Sequence, residues 1–308
     1  MKKITVNDIV RRFSFELLSG EDQLHRELKH SKVRRPGLEF MGMFDFITPE
    51  YIHILGKNEI NYLYTLDEKE CRLRIGHILS YDPPCIIITS NQKEPNGLLQ
   101  YCLENGIPVL RTNDSTSEVS AKLDAFVVKA MAPEISIHGV CVNVSGMGIL
   151  LRGKSGVGKS ETAHTLIGRG HRLIADDIVV LKKLSPQTLL GTHNEKNKEF
   201  LALRSIGLLN VVRLYGRSAF QEETRIALDI ELTKWESNTL NNELELETKF
   251  KDYMGVQIPH IQIQLQPGRD VAGLIEAAAN NWYLKQQGYS AAEEFVKRLE
   301  EEMEEGHQ

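Results

Sequence analysis

The first half of the chain alternates short apolar runs with segments of helical period. Residues 86–89 form one continuous apolar run, and residues 107–110 form another. Between them, residues 97–105 carry a helical pattern, and the Gly106 that follows is of a type that commonly ends a helix. A strand, a helix and a second strand in this order predict a βαβ unit, which is the building block of α/β domains.

A change of pattern near residue 133 divides the chain into two predicted domains. Residues 117–131 have a helical pattern, which Pro133 interrupts. We therefore expect an N-terminal α/β domain over residues 1–132 and a second domain over residues 133–308. No catalytic cluster is recognisable before the boundary, so a structural or assembly role is favoured for the N-terminal domain.

The second domain is predicted to begin with a β-hairpin. Residues 140–144 form a strand-like run, and residues 145–148 are turn residues that separate it from the next apolar run. The other elements predicted after the boundary are strands at residues 172–175 and 178–181 and helices at residues 161–169, 272–287 and 291–303.

Composition and charge restrict the class of protein. The chain has 308 residues, of which 41% are hydrophobic and 26% charged, as in an ordinary soluble protein with room for two domains. The net charge of −5 and the lack of a dense Lys/Arg run argue against nucleic-acid or membrane-surface partners. No signal peptide or membrane-length apolar stretch is recognisable, so we expect a cytoplasmic protein. The four cysteines have no C-x-x-C spacing, which favours reduced, buried thiols.

The strongest chemical signal is a phosphate-binding loop directly after the predicted hairpin. Residues 153–160 read Gly-Lys-Ser-Gly-Val-Gly-Lys-Ser, a complete G-x-x-x-x-G-K-[ST] motif. In such loops the glycines let backbone N–H groups point at phosphate oxygens, and the following helix adds its positive end. Lys159 can reach the β- and γ-phosphates, and the Ser160 hydroxyl is a suitable Mg²⁺ ligand. The predicted nucleotide-binding residues are Gly153, Lys154, Ser155, Gly156, Val157, Gly158, Lys159 and Ser160. An accidental glycine-rich turn is the alternative, which the predicted strand–loop–helix context disfavours.

Phosphoryl transfer needs further groups around such a loop. Asp176 and Asp177 follow an apolar strand soon after the loop helix, where a carboxylate could hold Mg²⁺ or accept a proton from a hydroxyl. The alternative is a solvated acidic turn, which is the less favoured interpretation in this context. His138 precedes the hairpin, but a single histidine without context is more often a surface or satisfied buried residue.

The motifs around the loop resemble the bacterial HPr kinase/phosphorylase family. The specific matches lie between residues 137 and 177, and the longest of them are residues 153–163 and 169–177. Further segments that resemble the family are residues 16–21, 35–37, 106–111, 137–140, 266–270 and 275–281. The resemblance therefore covers nearly the whole chain.

The resemblance implies a protein kinase that phosphorylates a serine of HPr, the phosphocarrier of the sugar phosphotransferase system. It also implies use of ATP or pyrophosphate, removal of the phosphate by phosphorolysis, a homohexamer, and a C-terminal domain similar to the nucleotide site of PEP carboxykinase. By the same resemblance, Asp177 is the base that accepts the serine proton, and it returns a proton in the reverse direction. Lys159 stabilises charge on the transferred group, Ser160 is a Mg²⁺ ligand, and His138 belongs to the catalytic set.

Three positions depart from the family pattern. Residues 202–210 match the catalytic signature of the family, and within them Ser205 stands where the family has a glycine. The family has a Mg²⁺-binding glutamate where this chain has Ala202, and counting from Trp235 places Glu243 where the family has a catalytic arginine. Compensation for Ala202 could come from Glu161, Glu199 or Glu243. We expect a divergent paralogue with weakened chemistry, and the alternative is a nucleotide-binding subunit that regulates or assembles with an active HPr kinase. A kinase for a small molecule is the least favoured alternative.

Overall fold

The computed structural model describes residues 3–29, 33–41, 50–234, 248–266 and 268–305. It divides into two compact units, Met1–Ala132 and Pro133–Gln308. Both units combine a β-sheet with helices, so the predicted α/β class is confirmed. The four cysteines are free and buried, as expected for reduced thiols. No helix in the described ranges is both long and apolar enough to cross a membrane.

The first unit contains a five-stranded sheet. Its strands are β1 (Glu16–Ser19), β2 (Val33–Arg34), β3 (Ile52–Leu55), β4 (Ile86–Ile88) and β5 (Val109–Arg111), and they lie in the order β1-β5-β4-β3-β2. Its helices are α1 (Val6–Phe13), α2 (Gly37–Phe40), α3 (Lys57–Thr65), α4 (Glu68–Leu79), α5 (Leu98–Glu104) and α6 (Thr116–Met131). Strands β2 to β5 are parallel, and β1 pairs antiparallel with β5.

The predicted βαβ unit is confirmed as β4, α5 and β5. Ile86 and Ile88 of β4 pack into one hydrophobic cluster, and Ile87 packs into another on the opposite face. Because both faces of this parallel sheet are covered, the strand is continuously apolar rather than alternating.

The second unit is built on a nine-stranded mixed sheet. The strands of this unit are β6 (Glu134–His138), β7 (Val140–Val144), β8 (Met147–Arg152), β9 (Arg172–Ala175), β10 (Ile178–Ser185), β11 (Thr188–His193), β12 (Phe200–Leu203), β13 (Gly207–Asn210), β14 (Glu223–Lys234), β15 (Lys249–Tyr253) and β16 (Val256–Leu265). In the nine-stranded sheet the order is β6-β10-β11-β14-β8-β7-β9, and β16 and β15 extend it from β14. Its helices are α7 (Lys159–Gly168), α8 (Val211–Tyr215), α9 (Val271–Gln286) and α10 (Ala291–Glu305). Strands β12 and β13 form a separate two-stranded sheet.

The predicted hairpin is confirmed as β7 and β8, but its turn is shorter than expected. The turn consists of Ser145 and Gly146 alone, because β8 already begins at Met147. Both turn residues have positive φ, 52° and 90°, which is the type I′ geometry that matches the twist of a two-residue hairpin. Sequence patterning assigned two strand residues to the turn because Gly148 resembles a turn residue.

Strand β8 is central to the second unit and delivers the chain to the phosphate loop. It pairs antiparallel with β7 and parallel with β14. Ile149 and Leu151 pack on the face that α7 and α9 cover, whereas Leu150 packs on the other face. The strand is therefore fixed on both faces and both edges, so the position of the loop at its end is well determined.

Candidate active site

The glycine-rich segment forms a loop between strand β8 and helix α7, as the motif requires. Gly153, Gly156 and Gly158 have φ values of 139°, 77° and 107°, which residues with a side chain rarely adopt. At Gly153 space is also limited, because a Cβ atom there would lie 2.3 Å from the carbonyl oxygen of Leu232 on the neighbouring strand β14. The glycines are thus needed for conformation and, at Gly153, for packing against the sheet.

Lys159 folds back over the loop from the first turn of α7. Its side chain is buried, and Nζ donates hydrogen bonds to the carbonyl oxygens of Gly153 at 3.1 Å and Lys154 at 3.3 Å. An ammonium group has three N–H donors, so one remains for a ligand. The arrangement holds a positive charge at the loop.

Not all eight loop residues face the same cleft. Ser155, Gly156, Gly158, Lys159 and Ser160 line it. Lys154 is exposed, and Val157 packs into the hydrophobic core, so neither its side chain nor that of Lys154 is among the lining groups. Gly153 does not line the cleft and instead lies against β14.

Asp176 links the loop helix to strand β12. The Ser160 hydroxyl donates to Oδ1 of Asp176 at 2.8 Å, and the backbone N–H of Ala202 donates to Oδ2 at 2.8 Å. Burial raises the pKa of the Asp176 carboxyl above its usual value, while the hydrogen bonds from Ala202 and Ser160 act in the opposite direction. The carboxylate is held rigidly beside the serine hydroxyl.

Asp177 is exposed to solvent, and its carboxylate contacts the imidazole of His138. Oδ1 of Asp177 lies 3.0 Å from Nδ1 of His138, and both side chains are about half exposed. The two residues are distant in sequence but adjacent in space, because β6 pairs with β10 and places His138 opposite Ile178. Asp177 has φ of 67°, an uncommon left-handed conformation that turns it away from the buried side of Asp176. Consecutive aspartates therefore occupy different environments, one buried beside Ser160 and one open to the cleft.

The loop, the aspartate pair and the histidine line one cleft. His138, Lys159, Ser160, Asp176 and Asp177 all contribute to it. The described residues contain no group of three or more His, Cys, Asp and Glu side chains that could hold a metal alone. Mg²⁺ in nucleotide sites is commonly bound by one or two protein oxygens together with phosphates and waters. Ser160 and Asp176 fit this requirement as hard oxygen donors fixed side by side.

Comparison with known proteins assigns the chain to a family. Residues 4–127 match the HPr serine kinase N terminus, and residues 129–299 match the HPr serine kinase C-terminal domain. The chain belongs to the HPr serine kinase family. The resemblance read from its motifs is therefore confirmed at the level of the family.

Relatives in the family match along nearly their whole length. A protein of Oceanobacillus iheyensis with the provisional name HPr kinase/phosphorylase 2 is 63% identical over 97% of this chain and 98% of its own. The HPr kinase/phosphorylase of Halalkalibacterium halodurans is 39% identical over 100% of this chain and 99% of its own. The solved structure of the Hpr(Ser) kinase/phosphatase from Coxiella burnetii is 30% identical, covers 52% of this chain and 98% of that chain, and has a TM-score of 0.47.

The glutamates that could compensate for Ala202 have different surroundings in this family member. Ala202 lines the cleft and offers only a methyl group there. Glu161 lines the same cleft, whereas Glu199 forms an ion pair with Arg217 at 2.9 Å. Glu243 lies outside the described residues. Of the two candidates that the structure describes, Glu161 is the one whose residue lines this cleft.

Two cations of the cleft were not identified from the sequence. Lys196 and Arg204 both line it. The Arg204 guanidinium lies against the loop, since a Cβ atom on Gly156 would be 2.1 Å from Nη2. A signal for Arg204 was present in the sequence, because it lies within residues 202–210, the stretch that matches the catalytic signature of the family. Lys196 lies in a polar segment without periodicity, and only the fold brings it to the loop.

Proposed function

We propose that the chain transfers the γ-phosphoryl group of ATP to a serine of the phosphocarrier protein HPr. The names of the relatives support this substrate. The observation that carries the proposal is that Asp177, paired with His138, lines the same cleft as the phosphate loop. A proton acceptor and a phosphate-binding loop in one cleft are what transfer to a hydroxyl requires.

In the forward reaction, the Asp177 carboxylate accepts the serine proton while the serine oxygen attacks the γ-phosphorus. The bond from that phosphorus to the β–γ bridging oxygen breaks, and ADP leaves. The ammonium of Lys159 and the loop amides stabilise the negative charge on the phosphates. His138 holds the Asp177 carboxylate in place. Ser160 and Asp176 would hold Mg²⁺, which supplies charge neutralisation on the phosphate oxygens when it is bound.

We further propose that the same cleft removes the phosphate from HPr by phosphorolysis, which is the reverse of a transfer from pyrophosphate. Inorganic phosphate attacks the phosphorus of phosphoserine, the bond to the serine oxygen breaks, and Asp177 returns a proton to that oxygen, so that pyrophosphate and serine are the products. Microscopic reversibility then makes pyrophosphate a second phosphoryl donor. We also propose that the chain assembles into a homohexamer through its N-terminal domain, residues 1–132. A cytoplasmic location and a role in carbon catabolite regulation are further parts of the proposal.

A second candidate function is that of a nucleotide-binding relative with little catalysis, which regulates an active HPr kinase or assembles with it. Ala202 favours it, because a methyl group faces the cleft where the family pattern has a carboxylate. Fewer protein ligands weaken Mg²⁺ binding, although Ser160, Asp176, phosphates and waters still remain. The two candidates share nucleotide binding and differ in turnover.

A transfer assay separates these candidates. Purified full-length chain is incubated with labelled ATP, Mg²⁺ and HPr, and nucleotide affinity is measured on the same preparation. Label on HPr supports the kinase. Nucleotide binding without label supports the regulatory candidate, and a gain of label with Ala202→Glu then identifies the missing carboxylate as the cause. A chain that binds no nucleotide contradicts both.

A further inference from the structure

Lys196 brings a positive charge to the cleft from outside the phosphate loop. It is exposed, lines the cleft, and belongs to the short 3-10 turn Glu195–Asn197 between β11 and β12. No ion pair involves Lys196 within the part of the chain that the structure describes. By contrast Lys198, two residues later, is paired with Glu222 at 2.8 Å. The Lys196 ammonium is therefore available to a ligand in the cleft that the phosphate loop lines.

The backbone around Lys196 is fixed by a network centred on Glu222. The Glu222 carboxylate contacts Nε2 of His193 at 2.8 Å, Nζ of Lys198 at 2.8 Å and Nη2 of Arg217 at 3.1 Å. Hydrogen bonding from Lys198, followed by that from His193 and Arg217, lowers the pKa of Glu222 to about 2, so it stays ionised at neutral pH. The network thus anchors both ends of the turn.

A local hydrogen bond fixes the turn itself. The Asn194 side-chain oxygen accepts from the backbone N–H of Lys196 at 3.1 Å. The segment thus holds its own backbone in place and pairs Lys198, while the Lys196 ammonium has no ion-pair partner among the described residues. A backbone that is already fixed lowers the entropy cost of binding an anion through this ammonium.

We propose that Lys196 is a phosphate-binding residue that contacts the polyphosphate of the bound nucleotide or pyrophosphate. This inference rests on the proposed function, because it assumes that the cleft binds such a ligand. The cleft also contains the carboxyl groups of Glu161, Asp176 and Asp177. An additional cation offsets their repulsion of a multiply charged ligand, and its contribution grows with the number of phosphates.

The test compares Lys196→Gln with Lys251→Gln in the full-length chain. Lys251 is an exposed lysine of β15 that does not line the cleft, so its substitution makes the same change in net charge. Calorimetric titrations use pyrophosphate, ADP and AMP. We expect Lys196→Gln to weaken pyrophosphate and ADP binding about tenfold and AMP binding less, as for one lost charge-assisted hydrogen bond. Lys196→Arg should restore most of the affinity.

Equal affinities for Lys196→Gln and Lys251→Gln overturn the inference while leaving the proposed function in place, provided that the unsubstituted chain binds ADP. An equal loss for all three ligands also overturns it, because a structural disturbance would not depend on phosphate number. If the unsubstituted chain binds neither ADP nor pyrophosphate, the proposed function itself fails.

Discussion

Substitution of Asp229 should strongly destabilise the second unit. Asp229 has no solvent exposure and accepts two hydrogen bonds from Arg152, from Nε to Oδ1 at 2.6 Å and from Nη2 to Oδ2 at 2.6 Å. Tyr253 Oη lies 3.1 Å from Oδ1, and Nδ1 of His260 lies 2.7 Å from Oδ2. Asp229→Asn keeps the shape of the side chain but removes the negative charge that balances Arg152.

The expected cost follows from the geometry of this pair. Removal of one partner from a buried ion pair costs about 3–5 kcal/mol, because the other charge remains buried without compensation. Glu231 lies 3.7 Å from Arg152 and compensates in part, so the lower end of the range, about 3 kcal/mol, is expected. With a urea dependence of about 2 kcal/mol per molar, the unfolding midpoint should fall by about 1.5 M.

Urea unfolding followed by tryptophan fluorescence measures this shift in the second unit, since Trp235 and Trp282 both lie after residue 132. Glu231→Gln is the matched control, because it removes a carboxylate that is partly exposed and only 3.7 Å from the same arginine. Its midpoint should change by less than about 0.5 M. Equal shifts for the two variants would refute the argument that burial makes the Asp229 pair critical.

Two further predictions concern a loop glycine and a buried histidine. Gly153→Ala forces a side chain into a φ of 139° and to 2.3 Å from the Leu232 oxygen, so nucleotide affinity should fall at least about tenfold. Gly168→Ala, with nothing within 4 Å, should bind normally in the same titration. Burial, and secondarily the charge of Arg34, lower the pKa of His53 to about 4, whereas the unfolded chain has a value of about 6.5. Below about pH 6.5 His53 therefore binds a proton in the unfolded state, whereas in the folded state it stays neutral down to about pH 4. The contribution of His53 to the free energy of unfolding should therefore fall by about 2 kcal/mol between pH 7 and pH 5. Urea unfolding followed by circular dichroism at pH 7 and pH 5 measures this fall. The free energy of unfolding should decrease less for His53→Leu than for the unsubstituted chain, and an equal decrease in both would contradict the lowered pKa of His53.

Local sequence rules were sufficient for the loop and its flanking elements. The three glycines, Lys159 and Ser160 follow a fixed spacing, and the short apolar run before them is typical of a buried strand, so strand, loop and helix were predicted together. The same holds for β4, α5 and β5, where each element carries its own periodicity. These features depend on residues that are close in sequence.

Long-range pairing determines the rest of the site and could not be predicted without the family resemblance. His138 and Asp177 meet only because β6 pairs with β10. Lys196 reaches the cleft because a network around Glu222 anchors the connection between β11 and β12. Neither relation leaves a periodic signal, because it depends on which strands become neighbours.

The rate of serine phosphorylation by an Asp177→Asn variant tests the central claim most directly. Incorporation of phosphate into HPr is measured for the unsubstituted chain and for the variant at saturating ATP and Mg²⁺, with ADP affinity measured in parallel. The account predicts that the unsubstituted chain phosphorylates HPr and that Asp177→Asn lowers the rate about 10²–10⁴-fold, as for loss of a general base, with ADP affinity preserved. An equal, measurable rate in the two proteins, with ADP bound by both, would contradict the role of Asp177. No phosphate on HPr from an unsubstituted chain that binds ADP would contradict the reaction proposed for this cleft.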